Sequence, residues 1–190
     1  MTDQEEQIII KKVLGGNAHA FAALVNAHKD MAVLLAYNIL LSQGDAEEVA
    51  QDAFVKAYGA LRSFKADSRF STWLYRIVIN TALNKKKLKR HYVIEITEAV
   101  AEQGPLDVGD FPFRQVTAEQ RKYIQLALRS LTLNERLCIT LYYLHELAVE
   151  EIHQLTAISP SSIKVLLYRG RKNLYTALHN HLKGELTNLI

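Results

Sequence analysis

The chain has 190 residues, of which 49% are hydrophobic and 23% are charged, with a formal net charge of +3. This composition is that of a folded globular protein and excludes a disordered polyelectrolyte, while the slight positive charge is weak support for a polyanionic partner. The single cysteine, Cys138, excludes an intrachain disulfide. The acidic start and the lack of an apolar run near ~20 residues predict a cytoplasmic protein with no signal peptide and no membrane insertion.

Helical spacing of apolar residues begins close to the N-terminus. Three helices are predicted first, over Glu5–Leu14, Ala18–Ala27 and Asp30–Leu41. A turn at Ser42–Gly44 follows, and Asp45 is predicted as the N-cap of a fourth helix, with Glu48 as its capping-box partner. That helix has one continuous apolar stripe, made of Ala46, Val49, Ala50, Ala53, Phe54, Ala57 and Leu61. Its opposite side carries three polar residues at helical spacing, Glu48, Gln51 and Asp52.

The segment Ser63–Phe70 lacks helical spacing and is predicted as a loop. A helix is predicted from Ser71 or Thr72, ending in the basic run Lys85–Arg90. Residues 91–116 hold two of the three prolines and are predicted as an interdomain linker, with a short strand at Val93–Thr97 as the alternative.

One face of the helix that follows the loop carries aromatic, cationic and amide side chains. Trp73, Arg76 and Asn80 share this face because they lie at positions i, i+3 and i+7. Aromatic residues beside cations suit unstacked single-stranded bases, and an asparagine amide suits the edge of a flipped base. Burial of Trp73 and Phe70 in the core is the alternative interpretation of the same pattern.

A second helical block is predicted after the linker. It begins with Thr117–Ser130, continues from a capping box of Thr132 and Glu135 to about Leu144, and includes a short helix at Val149–Leu155. A turn at Thr156–Ser159 precedes the last helix, which is predicted from Pro160 to about Leu182, with Ser159 as N-cap.

The last two of these helices have the layout of a helix-turn-helix. In the last helix, Ile163, Leu167, Gly170 and Leu174 form the predicted buried stripe. The remaining faces are predicted to bind duplex DNA through Ser161, Ser162, Lys164, Val165, Tyr168, Arg169, Arg171 and Lys172. A solvated basic face of an ordinary amphipathic helix is the alternative.

Enzymatic patterns are weak in this sequence. The histidines are scattered, and His179 and His181 are two residues apart, so a helix directs them to different sides. The sequence has neither a phosphate-binding glycine loop nor a nucleophile signature. We therefore expect no catalytic residue, no metal and no cofactor.

The segments Asp45–Phe54, Phe64–Phe70 and Ser71–Ile77 closely resemble conserved region 2 of the extracytoplasmic-function group of sigma-70-type sigma factors. Leu147–Leu174 resembles their region 4. The resemblance implies an all-α fold with a region 2 helical bundle at residues 1–90, a flexible linker at 91–116 and a region 4 helix-turn-helix domain at 117–190. It implies a protein that binds core RNA polymerase and directs promoter recognition, DNA melting and transcription initiation at a specific regulon.

The resemblance also implies roles for individual residues. The clamp helices of the largest polymerase subunit would be bound by Asp45, Glu48, Gln51, Asp52 and Phe54. The residues that would melt the −10 promoter element and read it as a single strand are Ala60, Phe64, Lys65, Asp67, Ser68, Phe70, Thr72, Trp73, Arg76 and Asn80. Region 4 would read the −35 element as duplex and reach the polymerase flap, and an anti-sigma protein would be a further partner.

Region 4 departs from the family pattern at five positions, Ala148, His153, Ala157, Val165 and Leu166. These departures bear on recognition of the −35 element. Two other classes of protein fit parts of the sequence: a helix-turn-helix regulator whose N-terminal half senses a ligand or dimerises, and a helical adaptor without a nucleic-acid role. The acidic helix and the aromatic loop favour the sigma factor, and the basic runs oppose the adaptor.

Overall fold

The computed structural model describes residues 1–95 and 118–188, with side chains over 1–88 and 123–180. The chain divides into two compact units, Met1–His91 (unit 1) and Tyr92–Ile190 (unit 2). Both units are built from helices, and no strand occurs in the described ranges, so the predicted all-α fold is confirmed. Most of the predicted linker lies outside the described residues, and the domain bounds stay a prediction. Within the described part, no helix has the length and apolar character to cross a membrane.

Unit 1 is a helical bundle. Its four α-helices are α1 (Asp3–Leu14), α2 (Phe21–Leu40), α3 (Gln43–Ala60) and α4 (Phe70–Glu95), the last of which continues four residues beyond His91. Short 3₁₀ turns at Ala18–Ala20 and Leu61–Ser63 lead into α2 and out of α3. All seven residues of the predicted α3 stripe are buried, as the helical period requires.

The second and third predicted helices are in fact one helix, α2. No glycine or proline separates them, so nothing in the backbone ends the first. His28, at the predicted break, is instead buried, and its Nε2 lies 2.8 Å from Oε1 of Glu6 in α1. This tertiary contact holds the centre of α2 against α1.

The start of α3 also differs from the prediction. The N-cap is Ser42, whose Oγ accepts a hydrogen bond of 3.5 Å from the backbone N–H of Asp45, so Asp45 lies inside the helix. The turn between α2 and α3 is made by Leu41, which has a left-handed backbone with φ of 59°. The predicted turn at Ser42–Gly44 and the capping box of Asp45 with Glu48 are therefore wrong.

α4 differs from the prediction at both ends. It begins at Phe70, one residue before the predicted start, and continues through Glu95. Residues 93–95 are consequently helical, which contradicts the alternative strand there, while Ile96 and Thr97 lie outside the described residues.

Over residues 118–188 of unit 2, the structure has four α-helices: α5 (Ala118–Arg129), α6 (Leu133–Ile139), α7 (Val149–Thr156) and α8 (Pro160–Asn188). The capping box before α6 is confirmed, since Thr132 Oγ1 accepts from the Glu135 N–H at 3.4 Å and Glu135 Oε2 accepts from the Thr132 N–H at 3.1 Å. After α6 the chain continues as a π-helical turn, Thr140–Leu144, so the predicted helix is regular only to Ile139.

The helix-turn-helix consists of α7, a short turn and α8. Ala157 makes the turn with a left-handed φ of 58°. His153 stabilises the turn, because its Nδ1 lies 2.8 Å from the backbone oxygen of Ile158. Ser159 is the predicted cap of α8, since its Oγ accepts from the N–H of Ser162 at 3.2 Å. α8 is longer than predicted and ends at Asn188.

Candidate functional site

Three aromatic rings, Phe64, Phe70 and Trp73, pack together where the loop after α3 meets α4. We call them the aromatic cluster. The Phe64 ring centroid lies 5.3 Å from that of Trp73 and 5.9 Å from that of Phe70, and the Phe70 and Trp73 centroids are 5.7 Å apart. Phe64 and Trp73 are half-buried, so each keeps part of its ring at the surface.

Two residues in this region that were predicted to contact DNA, Phe70 and Thr72, are buried. Phe70 is 1% exposed and packs against His28, with ring centroids 5.6 Å apart. Thr72 is 4% exposed. The structure therefore places Phe70 and Thr72 beneath the surface, where they support the loop and α4, and for Phe70 the core interpretation is correct.

Exposed polar side chains lie on α4 and on the loop, the two segments that carry the aromatic cluster. Arg76 and Asn80 are exposed on α4, and the loop residues Lys65, Asp67 and Ser68 are exposed beside it. The loop turns at Ala66, which has a left-handed φ of 59°. A surface with partly exposed aromatic rings, a guanidinium and a primary amide has the chemistry to stack unpaired bases and bind their edges.

The acidic side of α3 is a second surface in unit 1. We define the acidic face as Asp45, Glu48, Gln51 and Asp52; the last three are exposed, whereas the Asp45 side chain is only 14% exposed. Phe54, predicted as part of this surface, is 7% exposed and belongs to the core stripe of α3. The helical period explains this, since Phe54 shares its side of the helix with Ala50 and Ala57.

The sequence analysis did not foresee a cation within this face. Lys85 Nζ lies 2.5 Å from Glu48 Oε2 and 3.3 Å from Asp45 Oδ1. Desolvation lowers the pKa of Lys85, but the hydrogen bonds and charges of Glu48 and Asp45 outweigh it and hold that pKa above its ordinary value. No local spacing indicates this contact, because α3 and α4 meet only in the folded bundle.

The basic run at the end of α4 is therefore not a uniform cationic patch. Lys86 Nζ donates to the backbone oxygen of Ile39 at 2.9 Å, so a second lysine of the run is also engaged within unit 1. Lys87 is exposed. The described part of the run contributes less to a nucleic-acid surface than its sequence indicates.

In unit 2, α8 presents the predicted DNA-binding surface. All eight predicted residues are exposed, Tyr168 by 65% and Val165 by 47%. Arg171 Nη1 donates to the hydroxyl of Tyr143 at 3.1 Å, which ties this surface to the π-helical turn. The opposite stripe is buried at Ile163, Leu167 and Gly170 and half-buried at Leu174, as predicted.

The five departures from the region 4 pattern have separate structural consequences. Ala148 offers no side-chain acceptor at the start of α7, and only Glu151 Oε2 binds its N–H, at 2.8 Å. His153 bonds across the turn, and Ala157 adopts a backbone that favours glycine. Val165 is exposed on the outer face of α8, and Leu166 is half-buried.

Comparison with known proteins places both units in one family. The family description "Sigma-70 region 2" matches residues 24–91, and "Sigma-70, region 4" matches residues 121–174. The chain is 33% identical over 179 residues to the ECF RNA polymerase sigma factor SigW of Bacillus subtilis, covering 90% of this chain and 95% of SigW. It is 32% identical to the ECF RNA polymerase sigma-E factor of Escherichia coli K12, covering 88% and 91% of the two chains.

Solved structures agree on the fold. The sigma factor RpoE of Bartonella quintana, solved in complex with the anti-sigma factor NepR, superposes with a TM-score of 0.69 at 20% identity, covering 84% of this chain and 96% of RpoE. The regulator and adaptor alternatives do not account for two sigma-factor regions in the same order within one chain. The chain therefore belongs to the extracytoplasmic-function group of sigma-70-type sigma factors, which bind core RNA polymerase and direct promoter-specific transcription initiation without themselves being enzymes.

Proposed function

We propose how the work of this sigma factor is divided among its surfaces. The surface around Phe64, Trp73, Arg76 and Asn80 melts and reads the −10 element as single strand, and the acidic face binds the clamp helices of polymerase. α8 reads the −35 element as duplex. The corresponding domains are residues 1–90 and 117–190, joined by a linker at 91–116.

The observation that carries this proposal is the half-exposed aromatic cluster, whose Trp73 lies on the same face of α4 as the exposed Asn80. Separating base pairs costs about 1.4 kcal/mol per stacked step, while an aromatic ring that stacks a captured base contributes about 1–3 kcal/mol. Stacking of bases on the two rings at the surface, Phe64 and Trp73, is enough to offset a large part of the free energy needed to open one or two base-pair steps. The amide of Asn80 then supplies selectivity, because it can both donate to and accept from a base edge.

In vitro transcription with core RNA polymerase and a library of −10 sequences tests this assignment. We expect Asn80→Ala to relax the preference for one base within the −10 element, since the donor and acceptor for its edge are removed. Asn84→Ala is the matched control, because Asn84 is also exposed and lies one turn further along α4. Unchanged preference in Asn80→Ala would contradict the role of Asn80.

Binding to core polymerase tests the acidic face separately from DNA. We expect Glu48→Lys with Asp52→Lys to weaken binding by about tenfold or more, because two attractive charges become repulsive toward a basic partner. Glu146→Lys with Glu150→Lys, both exposed in unit 2, makes the same change in net charge elsewhere. Undiminished capture of the α3 variant would remove this face from the proposal.

Two further aspects follow from the family. The structural neighbours RpoE and CnrH were solved with NepR and with the cytosolic domain of CnrY. We propose by analogy that an anti-sigma protein regulates this chain and that it acts in the cytoplasm, where core polymerase transcribes. Co-purification of the tagged chain from its host, followed by identification of a stoichiometric partner other than polymerase, tests the first point.

A further inference from the structure

We propose that Lys85 of α4 competes with RNA polymerase for Glu48 and thereby lowers the affinity of the acidic face for its basic partner. The inference rests on the proposed function of that face. It adds to the acidic face a residue of opposite charge from another helix, α4.

The three side chains differ in how far they are exposed. Those of Lys85 and Asp45 are 20% and 14% exposed, whereas that of Glu48 is 65% exposed. Lys85 and Asp45 therefore form the more sheltered pair of the three. Glu48 is the exposed member, and its carboxylate is able to exchange one cation for another.

Lys85 binds one of the two carboxylate oxygens of Glu48, Oε2, and places its positive charge there. Its ammonium has three donors, which allows it to bind Asp45 and Glu48 together at 3.3 Å and 2.5 Å. A cationic side chain of polymerase must share Glu48 with Lys85 or displace it. An exposed ion pair changes an equilibrium constant by up to about fivefold, so displacement is feasible and costs that factor in affinity.

The opposite effect is the main alternative. A lysine that holds Glu48 in one rotamer reduces the entropy lost on docking, and in that case Lys85 would strengthen binding. Competition is favoured here because the contact is direct and the positive charge of Lys85 lies within the face that must attract a basic partner. The two effects predict opposite signs for the loss of Lys85.

Equilibrium binding of the full chain to core RNA polymerase decides between them. We expect Lys85→Met to bind about two- to fivefold more tightly than the natural chain. Lys87→Met is the control, since it removes the same charge from an exposed position on the same helix, and we expect it to change affinity less. Equal or weaker binding of Lys85→Met overturns the proposal.

A double-mutant cycle with Glu48→Gln identifies the mechanism. If Lys85 acts through Glu48, Lys85→Met has no effect in the Glu48→Gln background, whereas an undiminished gain there overturns the proposal. If Lys85→Met unfolds because Asp45 loses its partner, Lys85→Met with Asp45→Asn is compared with Asp45→Asn alone, since Asp45 is itself part of the acidic face. If Glu48→Gln and Glu48→Lys with Asp52→Lys both bind polymerase with full affinity, the acidic face is not the polymerase-binding surface. If those variants bind more weakly but Lys85→Met shows no gain, only the proposed competition is wrong.

Discussion

His145 follows the π-helical turn of unit 2, and its environment alters its chemistry. The residue is half-buried as a whole, but both ring nitrogens are shielded from solvent. Burial lowers the pKa of His145 to about 3, from an ordinary value of 6.5. The ring therefore stays neutral in the folded protein under conditions where an exposed histidine would be protonated.

We expect this histidine to destabilise the protein in acid. Between pH 6.5 and about 3 the unfolded chain binds a proton at His145 that the folded chain does not bind. Stability is then lost as pH falls through this window, by up to about 1.4 kcal/mol per pH unit. An NMR titration of the His145 ring should show no protonation down to pH ~5, and His145→Gln should flatten the pH dependence of the unfolding free energy. A ring that titrates near its ordinary pKa would contradict this.

Ala157 is a second residue whose backbone conflicts with its side chain. Its φ of 58° lies in the left-handed region, which costs an alanine about 1–2 kcal/mol relative to glycine. Part of that cost is offset because glycine loses more entropy on folding.

We therefore expect Ala157→Gly to stabilise unit 2 by about 0.5–1 kcal/mol without altering the orientation of α8. Urea unfolding of the full chain, followed by tyrosine and far-ultraviolet signals, measures the change. Ala53→Gly is the opposite control, because Ala53 lies within α3 and is fully buried, so glycine there must destabilise. A loss of stability in Ala157→Gly would show that the turn gains more from the methyl group than its backbone loses.

At the scale of helices, α6 and α8 approach each other closely only because of Gly170. A Cβ at this position would lie 2.9 Å from Cγ1 of Ile139 and 3.5 Å from Cβ of Glu135. The same region is tied by Asn173, whose Nδ2 donates to Glu135 Oε1 at 3.0 Å. The small residue in the predicted buried stripe of α8 is thus required by helix packing.

We expect Gly170→Ala to destabilise unit 2 by about 1–3 kcal/mol, because Ile139 is buried and has little space to move. Gly59→Ala is the matched control: Gly59 also lies in a helix, but an added Cβ meets no atom within 4 Å. That substitution should stabilise α3 by about 0.5–1 kcal/mol. Chemical unfolding of both variants compares them, and equal effects would contradict the packing argument.

At the scale of the whole molecule, each unit carries a helix surface of one sign of charge. The sequence has no acidic residue from Pro160 to Gly184, whereas α3 of unit 1 carries the acidic face. Two modules that each bind weakly become effective when polymerase holds both, because the second contact is made at high local concentration. The acidic face of α3 thus suits a basic protein partner, and the basic surface of α8 suits duplex DNA.

We expect Lys164→Ala with Arg169→Ala to reduce the salt dependence of holoenzyme binding to a −35 duplex. Each lost phosphate contact lowers the slope of log K against log salt by about 0.9. Lys11→Ala with Lys12→Ala, both exposed on α1, removes the same charge from unit 1 and should leave the slope unchanged. An unaltered slope in the α8 variant would show that these two residues do not bind phosphates.

Local patterns in the sequence predicted much of this architecture. Spacing alone reveals features that depend on residues within one or two helical turns. These features are the α3 stripe, the capping box of Thr132 and Glu135, and the start of α8 after Ser159. The motif order also indicated the sigma-factor family before any comparison. The predictions were wrong where a contact between residues distant in sequence decides the structure. The predicted helix break at His28 is an example, because His28 pairs with Glu6 within a continuous α2.

By itself, the sequence determined the all-α class, the helix-turn-helix and the family, because these depend on hydrophobic period, caps and short motifs. Only the tertiary structure decided which predicted site residues are at the surface. It buried Phe70 and Thr72, left Asn80 exposed, and brought Lys85 to Glu48. The physical reason is that burial and ion pairing depend on which helices meet in the bundle, and a residue's own neighbours in sequence do not contain that information.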